Sequence, residues 1–467
     1  MQVRNPRTGQ YDYQFPDLSA TDIANYCQLL RSKQINWQAL SIEARIDALQ
    51  EWKKAVNVHK EALIHALAID TGRIHETRLE VDLVAASIDR WCGIAKDFFQ
   101  APERKQSSIP FIELQQGLVP YALVGVISPW NFPLLLSLID TIPALLAGSA
   151  VIVKPSEVTP RFASVLQTTI NATPALSGIL QYVQGDGNTG AALVNQCDLI
   201  CFTGSTTTGK KVYDAASKRM IPVFLELGGK DPAIVLEGAD LAMAARSILW
   251  GATVNAGQSC LSIERVYVQD SCYSEFVTLL KAAAERVTLA FDSMEAGQIG
   301  PLIFEKQAAI INQQLSDAFA KGAKLEYGNT ACAQINGGWY CKPTILTNVH
   351  HQMQIMQEET FGPIIPVMSF HTKEEAIVLA NDTMYGLSGA VFAATNEVAM
   401  DLAQHITGGA ISINDCALTA VMHEGEKNSF KMSGIGGTRM GPSAIKRFMR
   451  QKVFIIKKQA LPSPWWF

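Results

Sequence analysis

Four short segments of this 467-residue chain hold residue types that can act together on a carbonyl group. The first, Asn255-Ala-Gly-Gln-Ser-Cys260, is a small, polar lead-in to a cysteine and predicts an accessible thiol. The thiolate is the nucleophilic form, and nearby donors lower a thiol's pKa. Taken alone, the segment is equally compatible with an inert, packed cysteine. The second, Leu225-Glu226-Leu-Gly-Gly-Lys-Asp-Pro232, sets a carboxylate at the end of an apolar run, where partial desolvation suits it to general-base work. Capping the next helix or pairing with Lys230 is the competing reading. The third, Ile127-Ser-Pro-Trp-Asn131-Phe-Pro133, brackets an asparagine with prolines at a strand end. A fixed amide there can donate to an oxygen that gains charge in a transition state, although a lone Asn is more often a turn residue.

The fourth segment, Phe202-Thr203-Gly204-Ser205-Thr-Thr-Thr-Gly209, is a glycine and hydroxyl loop between a strand and a helix expected to start near Gly209. Such a loop brings backbone N–H groups and a helix dipole to a pyrophosphate. Lys154-Pro-Ser156-Glu157 ends an earlier strand and suits a nucleotide: Lys reaches ribose or phosphate, and Glu binds a ribose diol. A formal G-x-G-x-x-G match at Gly185-Asp-Gly187-Asn-Thr-Gly190 is the weaker phosphate loop, because no acidic residue ends a strand about 20 residues further on.

The elements that must position these groups follow from periodicity. Between Ser19 and Phe99 apolar residues recur at helical spacing, which predicts a helical layer over one face of a sheet. Leu123–Ser128, Ala150–Lys154, Ile179–Val183, Leu199–Thr203 and Val223–Leu225 read as strands, with Thr159–Asn171 and Thr189–Gln196 as helices between them. The alternation restarts with Ala233–Leu236, a helix through Trp250, Arg265–Gln269 and a helix through Ala290, and runs on to about Ile413. This pattern predicts an α/β protein of two doubly wound domains, a Rossmann-like cofactor domain and a catalytic domain, with ligands at strand carboxyl ends. Ser107–Tyr121 and Arg450–Gln459 read as extended pieces outside both sheets, of the kind used to join subunits. The resulting division is 1–106 with 122–228 for the cofactor, 229–428 for catalysis, and 107–121 with 445–467 as a small β oligomerisation extension.

Composition sets the class. Single cores stop growing near about 250–300 residues, so this length implies more than one packed unit. Hydrophobic residues at 48% and charged residues at 18% describe a globular enzyme, and a net charge of −4 gives no reason to expect a nucleic acid. No stretch is long and apolar enough for a membrane span, and the polar start Met1-Gln-Val-Arg-Asn-Pro predicts a cytoplasmic location. The nine cysteines are scattered, without metal-ligand or disulfide spacing, so no metal site is expected.

Six motifs in order, Pro129-Trp130-Asn131-Phe132, Lys154-Pro-Ser-Glu157, Phe202-Thr-Gly-Ser205, Glu226-Leu-Gly-Gly-Lys230, Gly257-Gln-Ser-Cys260 and Glu358-Glu-Thr-Phe-Gly-Pro363, resemble those of the aldehyde dehydrogenase superfamily over nearly the whole chain. The resemblance implies NAD(P)-dependent oxidation of an aldehyde to a carboxylic acid. Cys260 would attack the aldehyde, with Asn131 and the Cys260 N–H stabilising the oxyanion. Glu226 would activate the water that hydrolyses the thioester. It also implies cofactor contacts from Ile127, Ser128, Pro129, Trp130, Lys154, Ser156, Glu157, Phe202, Thr203, Gly204, Ser205, Leu227 and Gly228. Gly187 falls near the adenine, Glu359 at the nicotinamide ribose and Phe361 beside the nicotinamide. An intact Glu157 favours NAD, since a carboxylate there repels a 2′-phosphate, while Lys154 and Ser156 leave NADP tolerable. Assembly as a homodimer or homotetramer is expected.

The chain departs from the family where many members carry a Pro-Phe-Gly-Gly loop: it has His423-Glu-Gly-Glu-Lys-Asn-Ser-Phe430 instead. That loop adjoins the substrate entrance in the family, and His423 reads as a loop residue. Apolar Phe132, Leu138, Ile139 and Leu261 point to a hydrophobic aldehyde, with core packing as the alternative. The tail Pro462–Phe467 is expected at an interface. Two rivals stay in view, a CoA-acylating relative, which would not need Glu226, and a catalytically retired binding homologue, which would not need Cys260, Glu226 and Asn131 together.

Overall fold

A computed structural model describes residues 1–16, 18–99 and 104–458. Two sheets organise it. In the first, Leu123–Ile127 lies in the middle, with Ala150–Lys154 and Leu180–Tyr182 to one side and Leu199–Thr203 and Val223–Glu226 to the other, all parallel. The order reverses between Leu123–Ile127 and Leu199–Thr203, which opens a crevice at their carboxyl ends. The second sheet has seven strands, with Asp231–Val235 between Ile263–Gln269 and Ser388–Phe392. Only Lys324–Tyr327, at its edge, runs antiparallel to its neighbour.

The strands read as unbroken apolar runs because both faces are buried. In the first sheet Val124, Val126, Val151 and Val153 point into one core, and Leu123, Ile127, Ala150 and Ile152 into another. The helical region splits accordingly. Ile42–Val58, Lys60–Thr71 and His75–Phe98 cover the first face together with Pro133–Ala147, whereas Ala20–Ala39 sends Ile23, Cys27 and Leu30 into the opposite core. The expectation of a single layer on one face is corrected here, since a helical period says which stripe is apolar and not which face of the sheet receives it.

Several element boundaries also differ from those expected. The helix after Gly204 starts at Thr206, because the Ser205 hydroxyl accepts from the Thr208 N–H and caps it, and Gly209 lies inside the helix, where a Cβ would come 2.5 Å from Leu227. The helix expected through Ala290 is Asp270–Ala284, and Leu289 instead bridges to Ile299.

A third, small sheet joins Arg104–Gln106, Ile112–Pro120 and Met449–Lys457, the last two over nine antiparallel pairs. A two-residue strand, Gly434–Ile435, crosses back to pair with Glu226 and Leu225 at the edge of the first sheet. The tail Pro462–Phe467 lies outside the described residues, as does Gln459 at the end of the predicted second extended piece. Among the described residues no helix is long and apolar enough to cross a membrane, and no group of three or more His, Cys, Asp or Glu is placed to hold a metal.

Candidate active site

Only Leu227–Lys230 separates the last parallel strand of the first sheet from the first strand of the second. This strap carries Glu226 at one end and binds the two sheets into one site. A Cβ on Gly229 would stand 2.5 Å from the Cys260 carbonyl oxygen, and one on Gly228 would stand 2.5 Å from the Glu359 carboxylate. The Gly229 N–H also donates to Glu359 Oε1 at 3.1 Å. Glycines here let backbone pass where no side chain fits.

Cys260 follows a turn in which Asn255, Ala256 and Gly257 all have positive φ, at 55°, 56° and 72°. For Ala256 that conformation costs about 1–2 kcal/mol, so surrounding bonds must hold it. Glu76 accepts from the Asn255 N–H at 3.1 Å, and the buried Gln258 amide ties Asn255 O to the Ile303 N–H. Of nine free cysteines, only Cys260 and Cys272 are not fully buried. The thiol still lies deep among protein atoms. Burial pushes it up to about 12; the Lys427 ammonium pulls it down, and the carboxylates of Glu359, Asp231 and Glu226 push the same way as burial.

Asn131 is brought to this turn. Its side-chain amide donates to Gln258 O at 3.0 Å, two residues before the cysteine, and its backbone carbonyl accepts from Asn255 Nδ2 at 3.0 Å and Arg73 at 2.6 Å. An amide has two N–H bonds, so one remains for an oxyanion. Arg73 in turn pairs with Glu80, whose carboxylate accepts from the Leu134 and Leu135 N–H groups at the start of the helix after Asn131. Burial pushes Glu80 up to about 7 against the pull of Arg73.

Glu226 does not pair with Lys230. Its Oε2 accepts from the Ser429 hydroxyl at 2.8 Å. Lys230 is buried and bonds Glu264 at 2.7 Å and Thr360 at 2.8 Å. Glu264 completes a cage by accepting from the N–H groups of Thr360, at 2.7 Å, and Phe361, at 2.8 Å, which fixes Phe361 at a φ of 51°. The neighbouring Glu359 carboxyl is held well above its ordinary value by burial and by the charge of Glu264. Phe361 meets Trp130 edge-on at 5.3 Å, and Trp130 meets Phe304 at 5.9 Å.

The crevice suits a dinucleotide. Ile127, Ser128, Phe202 and Thr203 line the two strand ends where the order reverses, with Pro129 continuing the chain to Trp130. The Ser128 hydroxyl is buried without a hydrogen-bond partner among the described residues, an unmet donor where a ligand would lie. Gly204 and Ser205 lead into a helix whose N-terminus is capped by a neutral hydroxyl, leaving its dipole for an anion. At Gly187 the helix start is already filled by the Asp186 carboxylate, which accepts from Asn188 and Thr189, so that turn is no phosphate cradle. A Cβ on Gly187 would meet nothing within 4 Å. Lys154 is buried and pairs with Glu157 at 2.9 Å, beside buried Ser156, and Leu227 is buried in the strap.

Phe132 and Leu261 are half-buried near Asn131 and Cys260, and the Arg73 guanidinium sits 4.7 Å from the Phe132 ring centre. Leu138 is 1% exposed and packs in the main core, which removes it from the substrate-facing set, because it turns to the sheet side of its helix. Ile139 is half-buried. His423 is a loop residue whose carbonyl accepts from Gly441. Sequence reading missed Arg73, Glu76, Glu80, Phe304, Lys427 and Ser429. It also missed Glu264, although the Glu264-Arg265 pair interrupting an apolar strand was an available signal.

The family model described as Aldehyde dehydrogenase family matches residues 1–454. A 4,4'-diapolycopene aldehyde oxidase of Methylomonas sp is 35% identical over 451 residues, covering 94% of this chain and 83% of the relative. A solved structure of a protein assigned as an aldehyde dehydrogenase in Anabaena variabilis is 55% identical with a TM-score of 0.98, covering 100% of this chain and 99% of that one. A betaine aldehyde dehydrogenase of Staphylococcus aureus, solved with NAD+, is 28% identical with a TM-score of 0.92, covering 100% of this chain and 93% of that one.

Proposed function

The chain belongs to the aldehyde dehydrogenase family, and from that premise we propose that it oxidises an aldehyde to its carboxylic acid through a thioester on Cys260. The observation that carries the residue assignments is the convergence at one seam of Cys260 on its held turn, Asn131 bonded to that turn, and Glu226 at the strand end from which the strap passes against Cys260 and Glu359.

The Cys260 thiolate adds to the aldehyde carbon. The oxygen that gains charge is met by the free Asn131 N–H and the backbone N–H of Cys260, donors fixed in advance. NAD(P) supplies the hydride acceptor for this enzyme. Lys154, Ser156 and Glu157 hold its ribose, Gly204 and Ser205 its pyrophosphate, and Glu359 with Phe361 its nicotinamide end. Water then attacks the thioester carbon, Glu226 takes the proton, and the carbon–sulfur bond breaks to free the acid. Splitting the oxidation at a covalent stage lowers each barrier.

NAD is preferred over NADP, supported by Glu157 and by its bond to Lys154, which occupies the cation a 2′-phosphate would seek. Phe132 and Leu261 favour an apolar aldehyde. We place the enzyme in the cytoplasm, supported by nine free cysteines, and we assign the sheet ending in Met449–Lys457 to subunit assembly.

The test is NADH formation without CoA across aliphatic, aromatic and semialdehyde substrates, with Cys260→Ala as control. Turnover in the wild type and none in the control is the expected result. Turnover that survives Cys260→Ala overturns the assignment of the nucleophile.

A further inference from the structure

The loop His423–Phe430, where the sequence departs from its family, contributes the one side-chain hydrogen bond that the Glu226 carboxylate receives among the described residues. The Ser429 hydroxyl reaches Glu226 Oε2 at 2.8 Å across 203 positions of sequence. The hydroxyl is not carried on a free loop. On one side, Asn428 is pressed against Gly409, where a Cβ would come 1.8 Å from the Asn428 carbonyl oxygen. On the other, Phe430 pairs with Gly386 and Gly434 pairs with Glu226 itself. Two ladders and a backbone contact thus fix Ser429 relative to the strand that carries Glu226.

We propose that Ser429 is a positioning residue for the hydrolytic half of the reaction: its O–H holds one carboxylate oxygen of Glu226 and thereby aims the other at the attacking water. This rests on the reading of Glu226 as the base. In the step concerned, a water oxygen bonds to the thioester carbon, the carbon–sulfur bond breaks, the water proton passes to Glu226, and the Cys260 thiolate is regenerated. No electrons change hands, because the hydride has already left. Ser429 takes no part in thiol addition or hydride transfer. Its loss therefore acts on one half of the cycle, and small misplacements of a catalytic group cost up to about 100-fold in rate.

The experiment is rapid-quench mass spectrometry of acyl-Cys260 together with the stopped-flow burst of NADH in wild type, Ser429→Ala, Ser429→Thr and Glu226→Gln. In Ser429→Ala the burst rate stays within about twofold while decay of the acyl-enzyme slows about 10- to 100-fold. Ser429→Thr, which keeps the hydroxyl, restores most of the decay rate. Hydroxylamine, a nucleophile that needs no base, restores turnover in Ser429→Ala. Equal slowing of burst and decay, or decay at the wild-type rate in Ser429→Ala while Glu226→Gln is blocked, overturns the role of Ser429 alone. Decay at the wild-type rate in Glu226→Gln overturns the base assignment and the proposal with it.

Discussion

At the residue scale, the Cys260 thiol is set between opposing influences. Burial and three nearby carboxylates disfavour its thiolate, and the Lys427 ammonium favours it. A thiol held high reacts more slowly at neutral pH and gains reactivity as pH rises toward its pKa. Alkylation of Cys260 by iodoacetamide in the cofactor-free enzyme is therefore expected to climb steadily from neutral to alkaline pH. Lys427→Met removes the favourable charge and moves that climb to higher pH; an unmoved profile would show that Lys427 does not act on the thiol. The candidate site was legible in the sequence because each motif is a run of a few residues whose types state their chemistry. The residues that hold it were not, because their partners are remote: Arg73 bonds Asn131 from 58 positions away, and Glu264 bonds Thr360 from 96. Sequence shows that an Arg or a Glu is present, while its burial and its partner depend on the folded path.

At the scale of elements, the strap Leu227–Lys230 and the turn at Phe361 are held by the Lys230–Glu264 cage. Removing one member leaves the other charge buried and unpaired, which costs about 3–5 kcal/mol. Glu264→Ala is expected to lower the melting temperature and to raise KM for NAD+ at least about tenfold, because the Phe361 turn loses both N–H acceptors. A calorimetric scan and steady-state kinetics check this, and an unchanged KM would mean that the turn holds its shape without the cage. The strands were readable since two-sided burial writes them as continuous apolar runs. The side of the sheet taken by Ala20–Ala39 was not, because the same amphipathic stripe packs equally well on either face.

At the scale of the whole molecule, among the described residues the strand Met449–Lys457 lies at an edge of the small sheet, with Val453, Phe454 and Ile455 exposed. An exposed, apolar edge strand is a template for another chain. Ile455→Lys is expected to lower the mass measured by light scattering, whereas an assembly of unchanged mass would place the subunit seam elsewhere. The extended character of this strand was visible in the sequence; its partner, more than 300 residues earlier by sequence number, was not, since register across such a distance is set by tertiary packing.

The crossing strand Gly434–Ile435 also sets a timetable. Ser429 and Glu226 are 203 positions apart, and a ribosome adding about 5–20 residues per second needs on the order of 10–40 s to make the intervening chain. Throughout that interval Leu225 and Glu226 lack the outer-edge partners, Ile435 and Gly434, that they have in the finished fold. The nascent chain is thus open to mispairing at the strand that carries Glu226, and that exposure ends only when nearly the whole polypeptide has emerged.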